Sequence, residues 1–322
     1  MGSSTLNPSS KVAVVGTGFV GSTAAYAMMI QGSASEIALI DAKAEKAEGE
    51  ALDLQHCMQF APHAKIVAGG SFELVKDAAV VVVTAGAAQQ PGQTRTELLE
   101  KNVTLFEKII PQIVAYNKEC ILLIVTNPLD ILTTVTLELS KFPSYRVLGT
   151  GTVLDTARLR YLLGRQFHVS PKDVTAYILG EHGDSEFVWW SKATVGGVPL
   201  SQFTGYAPVL LQEIYKKTKN AAYEIIAKKG ATYYAIALVI AKIVKAIIQD
   251  QARVFSVSSL VHNIYGVDQV CISVPTLIRN RGVYAHLIPE LDEEEKKMLI
   301  HSANKIKEDS AKAIKLLKVG NV

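Results

Sequence analysis

Lys11-Val12-Ala13-Val14-Val15-Gly16-Thr17-Gly18-Phe19-Val20-Gly21 runs without interruption into an apolar helical stretch, and Glu36-Ile37-Ala38-Leu39-Ile40-Asp41 follows the last glycine by about 20 residues. A strand, a G-x-G-x-x-G turn, a helix and a second strand closed by an acid make a dinucleotide-binding unit. Each position has a physical reason. Gly16 permits the tight turn, Gly18 lets the backbone approach a pyrophosphate, and Gly21 lets the helix pack close to the sheet. The helix N-terminus, with Phe19 and Val20 in its first turn, presents free N–H groups to phosphate charge. Asp41 can accept hydrogen bonds from both ribose hydroxyls of an adenosine and would repel a 2′-phosphate, so NAD is expected rather than NADP.

Outward from this unit, short β-branched runs alternate with helical patterns as far as Gly151: Lys11–Val15, Glu36–Asp41, Lys65–Ala68, Ala79–Thr84, Ile121–Val125 and Arg146–Gly149. The alternation predicts an α/β fold, a Rossmann-type doubly wound parallel sheet, over residues 1–150. Ala79–Thr84 is almost wholly apolar, as a strand buried on both faces should be. It ends in Ala85-Gly86, so the next loop lies at the carboxyl edge where such sheets bind ligands.

Past residue 150 the rhythm changes. Helical patterns at Leu154–Phe167, Pro208–Lys229 and Ala231–Gln249 are interspersed with extended stretches at Asp173–Leu179, Gly197–Leu200, Val254–Val261 and Val270–Val274. A closing helix from Asp292 to Leu317 places Met298, Leu299, Ala303, Ile306, Ile314 and Leu317 near one stripe. An α+β substrate domain over residues 151–322 is expected, packed tightly on the first. There is no internal repeat and no low-complexity tract.

The 322 residues are 49% hydrophobic, with 33 basic and 30 acidic side chains spread along the chain and a net charge of +3. A large core is expected, and nothing in the charge pattern favours nucleic acid or an anionic membrane. Cys57, Cys120 and Cys271 are widely spaced and lack metal-ligand spacing, so reduced thiols and no metal are expected. Residues 1–10 lack the cationic start and apolar core of a signal peptide. The most apolar helix, Ala231 to Ile248, carries Lys242 and Lys245 and is too short to span a bilayer. A cytoplasmic location is the expectation.

A nicotinamide coenzyme implies a substrate oxygen that gains or loses a proton near neutral pH, for which histidine is suited. Of seven histidines, His182 stands apart in Gly180-Glu181-His182-Gly183-Asp184, after an extended apolar segment and between glycines. Read locally, it is a histidine in a turn. Asp155 could orient such a ring, and Arg158, three residues on along the same helix face, could grip a carboxylate through two parallel hydrogen bonds. Read locally, these two are a helix N-terminal acid and an intrahelical pair. Gly86 to Arg95 is polar with Pro91-Gly92 at its centre, which suits either a surface loop or a lid that carries Arg95 over a substrate. Asn127, before Pro128, is either a donor at the same edge or a helix cap.

Gly16 to Gly21, Thr84-Ala85-Gly86, Pro91-Gly92-Gln93-Thr94-Arg95, Thr126-Asn127-Pro128-Leu129-Asp130, Leu154-Asp155-Thr156-Ala157-Arg158 and Gly180 to Asp184 occur in this order and spacing. Over residues 11–318 the chain resembles the lactate/malate dehydrogenase family, in its L-lactate-type branch. The resemblance implies that His182 is the proton donor and acceptor, Asp155 its orienting carboxylate, Arg158 the clamp on the substrate carboxylate and Arg95 the cation that polarises the carbonyl. It implies that Asn127 supports substrate and cofactor, that Thr232 faces the substrate's small side chain, and that Thr84, Ala85 and Gly86 line the NAD site. It also implies a homotetramer.

Gln89 separates branches of the family. Lactate-type members resemble this chain in carrying a neutral glutamine here, whereas malate-type members carry an arginine that pairs with the second carboxylate of oxaloacetate. Closing a lid over a dicarboxylate with no such cation would bury an unpaired charge at a cost of several kcal/mol. Pyruvate and (S)-lactate are therefore the expected substrates, with malate or another 2-hydroxy acid as the alternative and a non-catalytic NAD-binding protein as a remote one. Gln93 stands where lactate-type members usually carry an acid. Arg160 matches a basic ligand of enzymes activated by fructose 1,6-bisphosphate, but Thr175 stands in place of their histidine, so such activation is not implied.

Overall fold

The structure, a computed structural model, describes residues 10–87 and 95–319. Lys11–Val15 (β1), Phe19–Ile30 (α1), Glu36–Ile40 (β2), Ala44–His56 (α2), Lys65–Gly69 (β3), Val80–Val83 (β4), Arg95–Tyr116 (α3), Ile121–Ile124 (β5), Leu129–Ser140 (α4) and Val147–Gly149 (β6) follow one another. The six strands are parallel in the order β6-β5-β4-β1-β2-β3, the doubly wound arrangement the sequence implies. Alternate side chains enter two separate cores. Val12, Val14, Val80 and Val82 pack under α1 and α2, whereas Ala13, Val15, Val81 and Val83 pack under α3 and α4. Burying a valine or leucine fully in this way contributes about 1.5–3 kcal/mol.

Val153–Gln166 (α5), Val174–Thr175 (β7), Ile178–Leu179 (β8), Phe187–Val188 (β9), Thr194–Val195 (β10), Val198–Pro199 (β11), Pro208–Lys229 (α6), Tyr234–Ile248 (α7), Arg253–Val261 (β12), Val270–Arg279 (β13), Gly282–His286 (β14) and Glu293–Val319 (α8) complete the chain. Gly230, at φ +84°, ends α6 in the left-handed conformation, where its N–H still reaches Ile226 O at 2.8 Å. The second half does not stand apart. β12 pairs with β6 through Ser258 and Gly149, so β12, β13 and β14 extend the first sheet to nine strands. From this half, α7 contributes Ala237, Ile240 and Val244 to one core, and α8 contributes Ala313 and Leu317 to the other.

Several boundaries differ from the sequence reading. The stretch Asp173–Leu179 divides into β7 and β8, which belong to different small sheets, β11-β10-β7 and β8-β9. β13 continues past Val274 through Pro275 to Arg279 and turns into β14, which the sequence reading lacks. Proline has no N–H to give, but Pro275 O still accepts from Leu287 N at 2.8 Å. In α8 the buried stripe is Leu299, Ala303, Ile306, Ala313 and Leu317, while Met298 is 39% exposed. Among the described residues, no helix is long and apolar enough to cross a membrane.

Candidate active site

The glycine turn sits at the carboxyl edge of β1, and its glycines have distinct tasks. Gly16 adopts φ +98°, and a Cβ there would lie 2.6 Å from Ala85 N. At Gly21 a Cβ would lie 1.9 Å from Gly16 O, so the start of α1 rests directly on the turn. A Cβ at Gly18 would meet no protein atom within 4 Å, which leaves the space over the helix N-terminus to a ligand. That terminus has no side-chain cap and no acid in its first turn. These are the conditions under which N–H groups bind phosphate, and with Asp41 beside the turn the residues present fit NAD.

Asp41 does more than the sequence reading gave it. Its Oδ2 accepts from Thr17 N at 2.8 Å and Thr17 Oγ1 at 3.0 Å, and its Oδ1 accepts from Lys43 N at 3.0 Å. Burial opposes ionisation, but these N–H and O–H donors hold the carboxyl below its usual range. Thr84 also braces the turn, donating to Gly16 O at 2.7 Å, while Ala85 O accepts from Thr126 Oγ1 at 2.8 Å. A Cβ on Gly86 would lie 2.3 Å from Thr126 Cγ2, so the loop roots after β4 and β5 are in contact. Phe19 is largely exposed and stacks on Tyr233 with ring centroids 5.3 Å apart. Val20 is half-buried against the first core.

His182 and Asp155, 27 positions apart, meet with Nδ1 and Oδ2 separated by 2.7 Å. Arg158 Nη1 donates to the other Asp155 oxygen at 2.9 Å. Asp155 is buried and Arg158 nearly so, whereas His182 keeps 27% side-chain exposure. Two threonines one turn apart on the same helix set this spacing: Thr152 Oγ1 donates to Ile178 O at 2.5 Å, and Ile178 N donates to Thr156 Oγ1 at 2.9 Å. Both backbone groups of Ile178, four residues before His182, are thus fixed to the helix that carries Asp155.

The loop itself is anchored on three further sides. Gly180, at φ +95°, exchanges backbone hydrogen bonds with Ser273 of β13, both 3.0 Å. Glu181 N donates to Ser302 Oγ of α8 at 2.6 Å, and Lys305 Nζ donates to Glu181 Oε2 at 2.8 Å. His182 N donates to Asp130 Oδ2 at 2.8 Å. The ring is therefore presented by a braced backbone.

The electrostatics follow from this burial. Burial alone would favour a neutral ring, but the charge and hydrogen bond of Asp155 outweigh it, and His182 is raised to about 9. Burial likewise opposes ionisation of Asp155, yet His182 and Arg158 hold its carboxyl below the usual range. At neutral pH the arrangement is an imidazolium on a carboxylate that also binds a guanidinium. It can hand a proton to an oxygen and grip an anion beside it.

Of the residues singled out from sequence, the structure brings His182, Asp155 and Arg158 together, and groups Gly16, Gly18, Phe19, Val20, Gly21, Asp41, Thr84, Ala85 and Gly86 along the sheet edge. Asn127 is exposed and does not cap α4, whose N-cap is Pro128; its carbonyl accepts from Asn102 Nδ2 at 2.7 Å. Thr232 is half-buried in the connection between α6 and α7. Gln89, Gln93 and the side chain of Arg95 lie outside the described residues. Cys120 and Cys271 are buried thiols raised to about 12 by burial.

Three residues escaped the sequence reading. Asn102 is fully buried and joins two loop roots, accepting from Ala87 N at 2.8 Å while donating to Asn127 O. Asp130 is buried under His182, with Ser258 Oγ beside it, and burial pushes its carboxyl up to about 6. Glu186 lies buried near the His182–Asp155 pair. Asp130 stood within a quoted motif but reads as an ordinary first-turn helix acid, and the others had no local signal.

A doubly wound sheet with this glycine turn, this acid and this anion-ready helix terminus defines the class, an NAD-dependent oxidoreductase. Family models for the lactate/malate dehydrogenase NAD binding domain and alpha/beta C-terminal domain match residues 10–149 and 152–317. The chain belongs to the lactate/malate dehydrogenase family. It is 48% identical over 306 residues to an L-lactate dehydrogenase of Acetivibrio thermocellus, covering 92% of this chain and 95% of that protein. An L-lactate dehydrogenase of Clostridium botulinum is 44% identical over 302 residues, with the same coverage of each. Among solved structures, a lactate dehydrogenase from a Medee basin deep-sea metagenome library superposes with a TM-score of 0.92 at 41% identity, covering 95% of this chain and 99% of that one. The minor L-lactate dehydrogenase of Enterococcus mundtii, in a ligand-bound form, gives 0.91 at 41% identity, covering 95% and 98%.

Proposed function

We propose that the chain interconverts pyruvate and (S)-lactate, with His182 as proton donor and acceptor. The observation that carries this reading is the His182–Asp155–Arg158 arrangement, with contacts of 2.7 and 2.9 Å. NADH, when bound along the carboxyl edge, supplies the hydride. Arg158 holds the carboxylate of the 2-oxo acid and orients its carbonyl toward His182. As the carbonyl oxygen gains negative charge, His182 Nε2 gives it the proton, and Asp155 stabilises the ring throughout. In the same reading Arg95 polarises that oxygen, and exclusion of water from the site strengthens the pull. Asn127 and Thr232 complete the substrate pocket, and neutral Gln89 leaves it unsuited to a second carboxylate. The reverse reaction returns the proton to neutral His182.

The identity of the L-lactate dehydrogenases at 44–48% supports lactate over malate. In the same reading, residues 1–150 and 151–322 are the cofactor and substrate domains, and the enzyme is a cytoplasmic homotetramer of glycolytic fermentation. Exposed Tyr26 and Ile30 on α1, Leu52 on α2 and Tyr234 and Leu238 on α7 support an assembly through these helices. Turnover of NADH with pyruvate, oxaloacetate and 2-oxoisocaproate tests the function. Pyruvate is expected to give the highest kcat/KM; a preference for oxaloacetate would overturn the lactate reading.

A further inference from the structure

Glu186 follows His182 by four residues, at the entrance to β9, and has no role in the mechanism above. It is 7% exposed. One of its carboxylate oxygens lies within 4.8 Å of both an Asp155 oxygen and a His182 ring nitrogen. Its backbone is fixed in place, since the Tyr215 hydroxyl of α6 donates to Glu186 O. Among the described residues, no side chain donates a hydrogen bond to its carboxylate.

The charged and titratable groups around it come from four directions. Asp155 and Arg158 face it from α5 and His182 from its own loop. Lys219 approaches from α6, although its ammonium is held on Asp184 O at 2.8 Å, and Tyr215 lies on the same helix. On the α8 side, Glu294, Lys297 and His301 share with Glu186 a cavity of about 250 Å³. A buried carboxylate among these neighbours must pair, take a cation or keep its proton. A metal ion bound by Asp155, His182 and Glu186 would compete with a hydrogen bond already made by the Asp155 oxygen it takes and would sit near the Arg158 guanidinium. A proton displaces nothing.

We propose that Glu186 is a positioning residue for the proton-transfer pair: it keeps a proton beside His182 and Asp155 at neutral pH, and on losing it both secures the imidazolium and weakens binding of an anionic substrate. The proposal rests on the 2-oxo acid reading above. Burial first, and the Asp155 charge second, push Glu186 up to about 8, against the smaller pull of His182, Lys219 and Arg158. While Glu186 is neutral, Asp155, His182 and Arg158 present a net positive charge to a substrate carboxylate. Once it ionises, that charge is cancelled. The ring then releases its proton only at a higher pH, because a further carboxylate, besides Asp155 and Asp130, faces it.

The test is a pH titration of the His182 ring by NMR in the NADH complex, without substrate, for the wild type, Glu186→Gln and Glu186→Asp. Above pH 7, where Asp130 is already ionised, the wild-type ring is expected to report two ionisations, Glu186→Gln one, with its midpoint about one unit lower, and Glu186→Asp two again. In parallel, pyruvate KM above pH 8 is expected to climb with two protons in the wild type and with one in Glu186→Gln. A single wild-type ionisation, or an unchanged midpoint in Glu186→Gln, overturns the proposal. Should no 2-oxo acid be reduced, the functional reading fails while the ring titration still decides the role of Glu186.

Discussion

Gly18 and Gly21 lie three positions apart in one turn, and the structure asks different things of them. A methyl at Gly18 touches no protein atom within 4 Å, and its φ of −71° suits any residue. Gly18→Ala is therefore expected to leave Tm unchanged while weakening NADH binding by about tenfold, since the methyl occupies the approach of the pyrophosphate. Gly21→Ala drives a methyl into Gly16 O and is expected to cost about 1–3 kcal/mol or more, seen as a fall in Tm. Equal effects of the two substitutions would contradict these assignments. Arg158→Lys loses the planar fork while keeping the charge, so pyruvate KM is expected to rise by at least about tenfold with NADH binding intact. An unchanged KM would remove Arg158 from the substrate site. At this scale the glycine turn and Asp41 were legible because their logic is contained in one strand–turn–helix stretch. His182 and Asp155 were not legible from local sequence, which reads a turn histidine and a helix acid; the order and spacing of several motifs joined them.

Among elements, the decisive relation is the one between α5 and β8. Thr152 and Thr156 hold both backbone groups of Ile178, so the helix carrying Asp155 and the strand leading to His182 move as one unit. Thr156→Val leaves the buried Ile178 N–H without its acceptor, at an expected cost of about 1–3 kcal/mol. Tm should fall and kcat should fall with it, while NADH affinity, set at the glycine turn, stays near the wild type. Retained Tm and kcat would show that the spacing is held by other contacts. Sequence patterning located these elements well where the period is long, as in α6. It failed where tertiary pairing decides: β13 runs through Pro275 because β12 and β14 flank it, and β7 through β11 are too short to show any period.

Across the whole molecule, the second half of the chain completes both faces and one edge of the sheet begun by the first. The functional groups sit where several elements converge, and Asp130 reaches His182 N across 52 positions. No local signal carries a contact of that range, which is why Asp130, Asn102 and Glu186 were missed. Their burial also makes stability depend on pH. His182 rises from 6.5 to about 9 on folding, and Glu186 from 4.5 to about 8, so the folded chain binds more protons than the unfolded chain across the intervening range. Stability from His182 is complete below pH 6.5 and is lost as pH rises through about 9. Asp155 acts in the opposite sense, its contribution being present above its unfolded value and lost as pH falls through the lower folded one. Calorimetric Tm is expected to decline between pH 6.5 and 9, and to decline less in His182→Gln. A Tm that rises over this interval would reverse the sign of the assignment.

The most direct measurement is kcat/KM for pyruvate with saturating NADH, from pH 6 to 10, in the wild type, His182→Asn and Asp155→Asn. The wild-type kcat/KM should hold to about pH 8 and then fall as Glu186 and the imidazolium lose their protons, His182→Asn should fall by about 10² to 10⁴ without the imidazolium limb, and Asp155→Asn should be slower with that limb moved to lower pH. Wild-type turnover in His182→Asn, or an Asp155→Asn profile superimposable on the wild type, would contradict the account.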